Sequence, residues 1–108
     1  VKFAEEQAKK FGVRAPMVGH MGDGNFHVVL PYDPAKKEMY KQIRAFNDTL
    51  IRKALELNGT ITGEHGVGLH KKEYLLEQHP DNIPVMKSIK RTLDPNNIMN
   101  PGKIFDLN

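Results

Sequence analysis

The sequence predicts an α+β fold in which a small antiparallel sheet packs against helices as one domain. Three observations carry the prediction. Residues 2–11 and a long middle segment repeat apolar side chains at helical spacing. The turn signature Gly22-Asp23-Gly24-Asn25 separates two short β-favouring runs. The 108 residues, 39% hydrophobic and 27% charged, have the balance of a globular chain and are enough for one core.

Phe3, Ala4, Ala8 and Phe11 share one face of the first helix, and Glu5, Glu6, Lys9 and Lys10 share the other. Gly12 stands where a left-handed residue closes a helix. The chain starts without an initiator Met and enters at once on this pattern, so it is expected to be cut from something longer. Ala15-Pro16 then leads in extended, because the residue before a proline is pushed out of the helical region.

The next stretch, from Val18 to Val28, carries His20 and His27 on either side of the turn signature. With Asp23-Gly24 as the two residues of a type I′ turn, Met21 opposes Phe26 and His20 opposes His27. Directly opposed side chains have Cβ atoms about 5 Å apart, near enough for two imidazoles to share a metal ion. In this register Val18, His20, His27 and Val29 form one face. Met17, Met21, Phe26, Val28 and Leu30 form the other, which is apolar enough to lie on the core.

Asp33-Pro34 reads as a cap followed by the first helical residue, and Asn58-Gly59 as a stop, which predicts one helix over 34–57. Met39, Ile43, Phe46, Leu50, Ala54 and Leu57 make it the main core filler. Thr60-Ile61-Thr62 predicts a short β segment entering a loop in which Gly63, Gly66 and Gly68 surround Glu64-His65. Residues 71–78 and 82–93 predict two further helices. Turn chemistry follows at Asp94-Pro95-Asn96-Asn97 and again at Asn100-Pro101-Gly102-Lys103.

Composition excludes several function classes. Net charge is only +3, and basic residues occur singly or in pairs such as Lys71-Lys72 and Lys90-Arg91, so solvated helix faces are expected and no nucleic-acid partner. There is no cysteine, so any metal site must use His and carboxylates. No apolar run approaches the roughly 18 residues of a membrane span, and a soluble chain is expected.

Two clusters could carry chemistry. His20 and His27 are either metal ligands or partly buried histidines hydrogen-bonded to backbone; the spacing admits both. Glu64 would be the natural third ligand, completing an N/O set that suits Zn²⁺, Mn²⁺, Fe²⁺ or Co²⁺; alternatively it is an exposed carboxylate on a glycine loop. His65, projecting from the same loop, could serve as a general base. Asp23 fits a turn role, whereas Asn25 could donate to a substrate oxygen. His70 and His79 lie among charged residues and are given no role, and no phosphate-binding glycine fingerprint occurs.

Three stretches together resemble a known family. Gly19-His20-Met21-Gly22-Asp23-Gly24-Asn25-Phe26-His27, Thr62-Gly63-Glu64-His65-Gly66-Val67-Gly68 and Leu93-Asp94-Pro95-Asn96-Asn97-Ile98-Met99-Asn100-Pro101-Gly102-Lys103 are similar to the three motifs of the FAD-linked oxidase C-terminal domain. That family includes the glycolate oxidase flavoprotein subunit, D-lactate dehydrogenases and D-2-hydroxyglutarate dehydrogenase. The likeness spans about Val18 to Lys103 in the family's order.

The resemblance implies a flavoenzyme that oxidises a 2-hydroxy acid to the 2-oxo acid, with FAD bound mainly by an upstream domain and this chain forming the substrate-side wall. It implies a sheet of the ferredoxin-like type. His20, His27 and Glu64 match metal-ligand positions for Zn, Mn or Fe, His65 matches the base, and Asn25 matches a polar position near the substrate. Asn100 falls in the terminal motif and is expected to touch the cofactor. Redox partner subunits are also expected, with the protein in the cytoplasm and held at a membrane periphery through them. The isolated chain should be inactive. The competing expectation is a non-catalytic cap or subunit-contact module with a structural or empty metal site, and a third is a metal-dependent hydrolase acting through Glu64 or His65.

Overall fold

The computed structural model describes all residues from Val1 to Asn108. It is an α+β structure with four α-helices and one two-stranded antiparallel sheet. By its internal contacts the chain divides into two compact units, Val1–Leu57 and Asn58–Asn108.

The first unit opens with α1 (Lys2–Phe11), which packs against α2 (Lys37–Glu56). The expected apolar face explains the contact: Ala4 and Ala8 are buried and small, so the helices approach closely. The Phe11 ring meets Phe46 edge-on, with centroids 6.3 Å apart. Phe46 is 0% exposed, and burying a side chain of that size contributes about 2–3 kcal/mol. Gly12, at φ 65°, closes α1: its N–H donates to Lys9 O, and the Val13 N–H donates to Ala8 O at 3.0 Å.

Two features of α2 differ from expectation. The helix begins at Lys37 rather than at Pro34. Asp33 makes a separate turn, its Oδ1 accepting from the Ala35 N–H at 3.0 Å and its carbonyl from the Lys36 N–H at 2.9 Å. The aspartate side chain thus offers the backbone a local alternative to helix. The buried positions are Ile43, Phe46 and Ile51, while Leu57 is exposed. Leu50, on the same face as Ile43 and Phe46, is half-buried, and Ile51 is buried although it lies roughly 140° round the helix from Phe46.

The hairpin is present, but its register is shifted. Strand β1 (Met17–Val18) pairs with β2 (His27–Val28) so that Met17 opposes Val28 and Val18 opposes His27. The two-residue turn is therefore a longer connection containing one turn of 3₁₀ helix, Met21–Asp23. A two-residue slip preserves side-chain alternation, so Val18 and His27 still share a face. His20 no longer faces His27. Of the expected core face, Met17, Phe26, Val28 and Leu30 are half-buried and Met21 is exposed.

In the second unit, Thr60-Ile61-Thr62 is irregular rather than a strand. Two side chains from further along serve the Ile61 backbone instead. Its N–H donates to Gln78 Oε1 at 3.3 Å, and its carbonyl accepts from Lys71 Nζ at 3.0 Å. The expected helices form as α3 (Lys72–Gln78) and α4 (Ile83–Leu93). Ile61, Tyr74, Leu75 and Ile83 are the buried apolar residues, whereas Ile89 and Leu93 on α4 stay exposed despite their helical spacing.

Asp94 is buried and organises the terminal motif. Its carboxylate accepts from Lys90 Nζ, from the Ile98 N–H at 3.0 Å and from the Met99 N–H at 2.9 Å. The Lys90 ammonium, helped by those backbone donors and opposed by burial, holds this carboxyl below the usual aspartate range. The residues that follow are tied to the helices: Lys72 donates to both oxygens of Asp106 at 2.7 and 2.9 Å, and Arg91 donates to Leu107 O.

Candidate functional site

The hairpin segment is shaped by its own backbone. The His20 carbonyl accepts two hydrogen bonds, from the Asp23 N–H at 2.9 Å and the Asn25 N–H at 3.2 Å, which curls the chain tightly after His20. Gly19 makes this curl feasible. It lies at φ +147°, and a Cβ there would stand 2.7 Å from Phe26 Cα and 2.9 Å from Asn25 O. Only glycine fits such an approach. His20 is exposed at the mouth of the curl, Asn25 is half-buried within it, and His27 is half-buried on β2. His20 and His27 thus sit on one short hairpin without being direct cross-strand neighbours.

The glycine loop carries Glu64 and His65, both exposed. His65 Nε2 lies 3.2 Å from Glu64 Oε1. An Nε2–H in this position donates to the carboxylate. Just before them, Thr62 Oγ1 is buried without a hydrogen-bond partner.

Both ends of this loop are held from a distance in sequence. Lys71 Nζ and Gln78 Oε1 hold Ile61 at the entrance, and the Ile104 N–H donates to Gly68 O at 2.8 Å at the exit. Burial pushes the Lys71 ammonium below its ordinary lysine value. Ile104 is held at φ +69°, with the Phe105 N–H donating back to Lys103 O at 2.8 Å, a γ-turn of the strained hand. For a β-branched residue this conformation costs about 1–3 kcal/mol. The sequence shows Lys71 only as one of a basic pair and gives Ile104 no motif. Neither a dipeptide nor a hydropathy pattern signals a contact that spans ten residues or more. Asn100 is exposed at φ +48° in the terminal motif, and its carbonyl accepts from the Lys103 N–H at 3.4 Å.

No helix is long and apolar enough to cross a membrane. The chain is 46% identical over 96 residues to the probable mitochondrial D-lactate dehydrogenase of Danio rerio, an alignment covering 88% of this chain and 19% of the relative. It is 41% identical over 106 residues to the glycolate oxidase subunit GlcD of Bacillus subtilis, covering 97% of this chain and 23% of the relative. With the D-2-hydroxyglutarate dehydrogenase of Stutzerimonas stutzeri the identity is 42% over 90 residues, covering 81% and 19%. The chain therefore spans about a fifth of the length of these relatives. Residues 1–104 match the family described as FAD linked oxidases, C-terminal domain. The three motifs built on the hairpin, the glycine loop and the Asp94 turn are thus those of a family member, and the chain belongs to the C-terminal domain family of the FAD linked oxidases.

Proposed function

We propose that this chain supplies the metal and base side of the active site in an FAD-dependent dehydrogenase or oxidase that converts a 2-hydroxy acid, such as glycolate or D-lactate, to the 2-oxo acid. The observation that carries the reading is the family match over residues 1–104, together with relatives named for D-lactate, glycolate and D-2-hydroxyglutarate. FAD would be held mainly by an upstream domain, with Asn100 reaching the cofactor from the terminal motif. Its electrons would pass to redox partner subunits.

The donor chemistry suits a divalent cation. His20 and His27 offer imidazole nitrogens and Glu64 offers a carboxylate oxygen, the mixed set preferred by Zn²⁺, Mn²⁺ or Fe²⁺. A cation bound there supplies Lewis acidity toward a substrate oxygen, and FAD supplies a two-electron acceptor. The residues of the chain divide the remaining work. His65 takes the proton of the α-hydroxyl, and Glu64 Oε1, beside its Nε2, orients the imidazole. The Cα hydrogen leaves with the electron pair as hydride, so proton and hydride together account for the two-electron oxidation. Asn25 orients the substrate through a polar contact.

Metal content of the full-length protein tests the ligand set. His20→Ala and Glu64→Ala should each lose most of the bound divalent metal relative to wild type. Unchanged metal content in both variants removes the assignment.

A further inference from the structure

We propose that Lys71 is a positioning residue for Glu64 and His65, acting with the Ile104 backbone as a two-ended clamp on the loop between Ile61 and Gly68. The proposal rests on the proposed function for what the loop does, and on the structure for how the loop is held.

The loop contains Gly63, Gly66 and Gly68, so its own backbone does little to restrict it. Gly66 and Gly68 lie at φ +78° and +54° with no neighbour crowding a Cβ position at either, so packing does not confine them. The constraint comes from outside. At the entrance the Lys71 ammonium donates to Ile61 O at 3.0 Å, and Gln78 Oε1 accepts from the Ile61 N–H at 3.3 Å. Ile61 is itself 5% exposed, so its carbonyl has little access to water and depends on the lysine. At the exit the Ile104 N–H closes on Gly68 O at 2.8 Å. Behind it, the bidentate grip of Lys72 on Asp106 keeps the chain after Ile104 in place.

Lys71 is suited to this role by what surrounds it. Its side chain is half-buried and turned onto a backbone carbonyl three residues before Glu64. Its backbone N–H also donates to Val67 O at 3.3 Å, so one residue touches both the start of the loop and its last turn. A lysine side chain on a solvated helix face would not reach the Ile61 carbonyl.

The test uses the full-length protein with three variants. Lys71→Met keeps the stem and removes the donor, Lys71→Arg restores a donor, and Ile104→Pro removes the exit N–H together with the positive-φ turn that presents it. Amide hydrogen exchange over residues 62–68 is read alongside kcat and KM. In Lys71→Met and Ile104→Pro, loop exchange should rise about tenfold or more and kcat should fall at least tenfold, with KM changed less than threefold. Lys71→Arg should recover most of both. Should Ile104→Pro fail to fold, the two Lys71 variants decide alone. Unchanged exchange in Lys71→Met overturns the clamp. Faster exchange with unchanged kcat overturns positioning and leaves a structural tie. A fall in kcat with unchanged exchange also overturns it, because Lys71 would then act by another route. Glu64→Gln and His65→Gln separate this from the reading beneath it: full activity in both would sink the proposed function, while the exchange result would still decide the clamp.

Discussion

The hairpin from Gly19 to His27 carries His20, Asn25 and His27 of the proposed functional side chains and the loop from Ile61 to Gly68 carries Glu64 and His65, yet the two are built in opposite ways. The hairpin is held by contacts within eight residues: the His20 carbonyl takes two nearby N–H groups, and Gly19 allows the returning chain to pass against it. The loop is held by Lys71, Gln78 and Ile104, which lie up to 36 residues from the backbone groups they hold. The difference teaches where each is vulnerable. A local turn fails through its own residues, whereas a clamped loop fails through changes made elsewhere.

The largest expected effect is on the local side. Gly19→Ala should weaken the hairpin by about 3 kcal/mol, because the new Cβ meets backbone atoms that cannot move aside and the conformation is strained for any L side chain. Amide exchange at Asn25 and Val29, whose N–H groups donate to His20 O and Pro16 O, reads it directly. Protection within 0.5 kcal/mol of wild type would mean that the hairpin relaxes freely and is not locally determined.

Acid should act next, on the terminal motif that precedes Ile104. Because Lys90 holds the Asp94 carboxyl below its ordinary range, its contribution is fully present above the unfolded value of about 3.9 and is lost as pH falls through the lower folded value. Thermal melting of wild type should therefore steepen its decline below about pH 4. Asp94→Asn should be less stable at neutral pH and should flatten that decline. Parallel curves for the two proteins would show that the charge of Asp94 does not organise the terminal motif.

The smallest effect concerns the loop entrance. Thr62→Val removes a buried hydroxyl that has no partner, so stability should hold or rise by about 1 kcal/mol. A loss of more than about 1 kcal/mol on thermal denaturation would reveal a hydrogen bond at Thr62 that the folded chain uses.

Much of the secondary structure was legible in the residues. Apolar spacing placed α1, α3 and α4 within a residue of their observed bounds, and Gly12 and Asn58 each adopt the left-handed conformation expected at a helix end. The candidate residues were legible as types, since a His pair and a Glu-His pair among glycines are uncommon enough to draw notice. The hairpin register was not. Asp23-Gly24 is a strong two-residue turn signal, but the chain instead satisfies His20 O twice and folds Met21–Asp23 into a 3₁₀ turn. A different local competitor, the Asp33 side chain accepting from the Ala35 N–H, moved the start of α2 past Asp33-Pro34. Thr60-Ile61-Thr62 had the composition of a strand and found no strand to pair with.

The sequence by itself determined the helices, the presence of a turn between two histidines, and the chemistry that the exposed His and Glu side chains can offer. Each of these follows from residue identity and spacing over a few positions, where the backbone's local preferences act. Only the tertiary structure decided which backbone groups the distant side chains would satisfy: that Lys71 and Gln78 would hold Ile61, that Asp94 would order Ile98 and Met99, and that a strained Ile104 would close on Gly68. Buried peptide groups must find partners, and the choice among distant partners is made only when the whole unit packs.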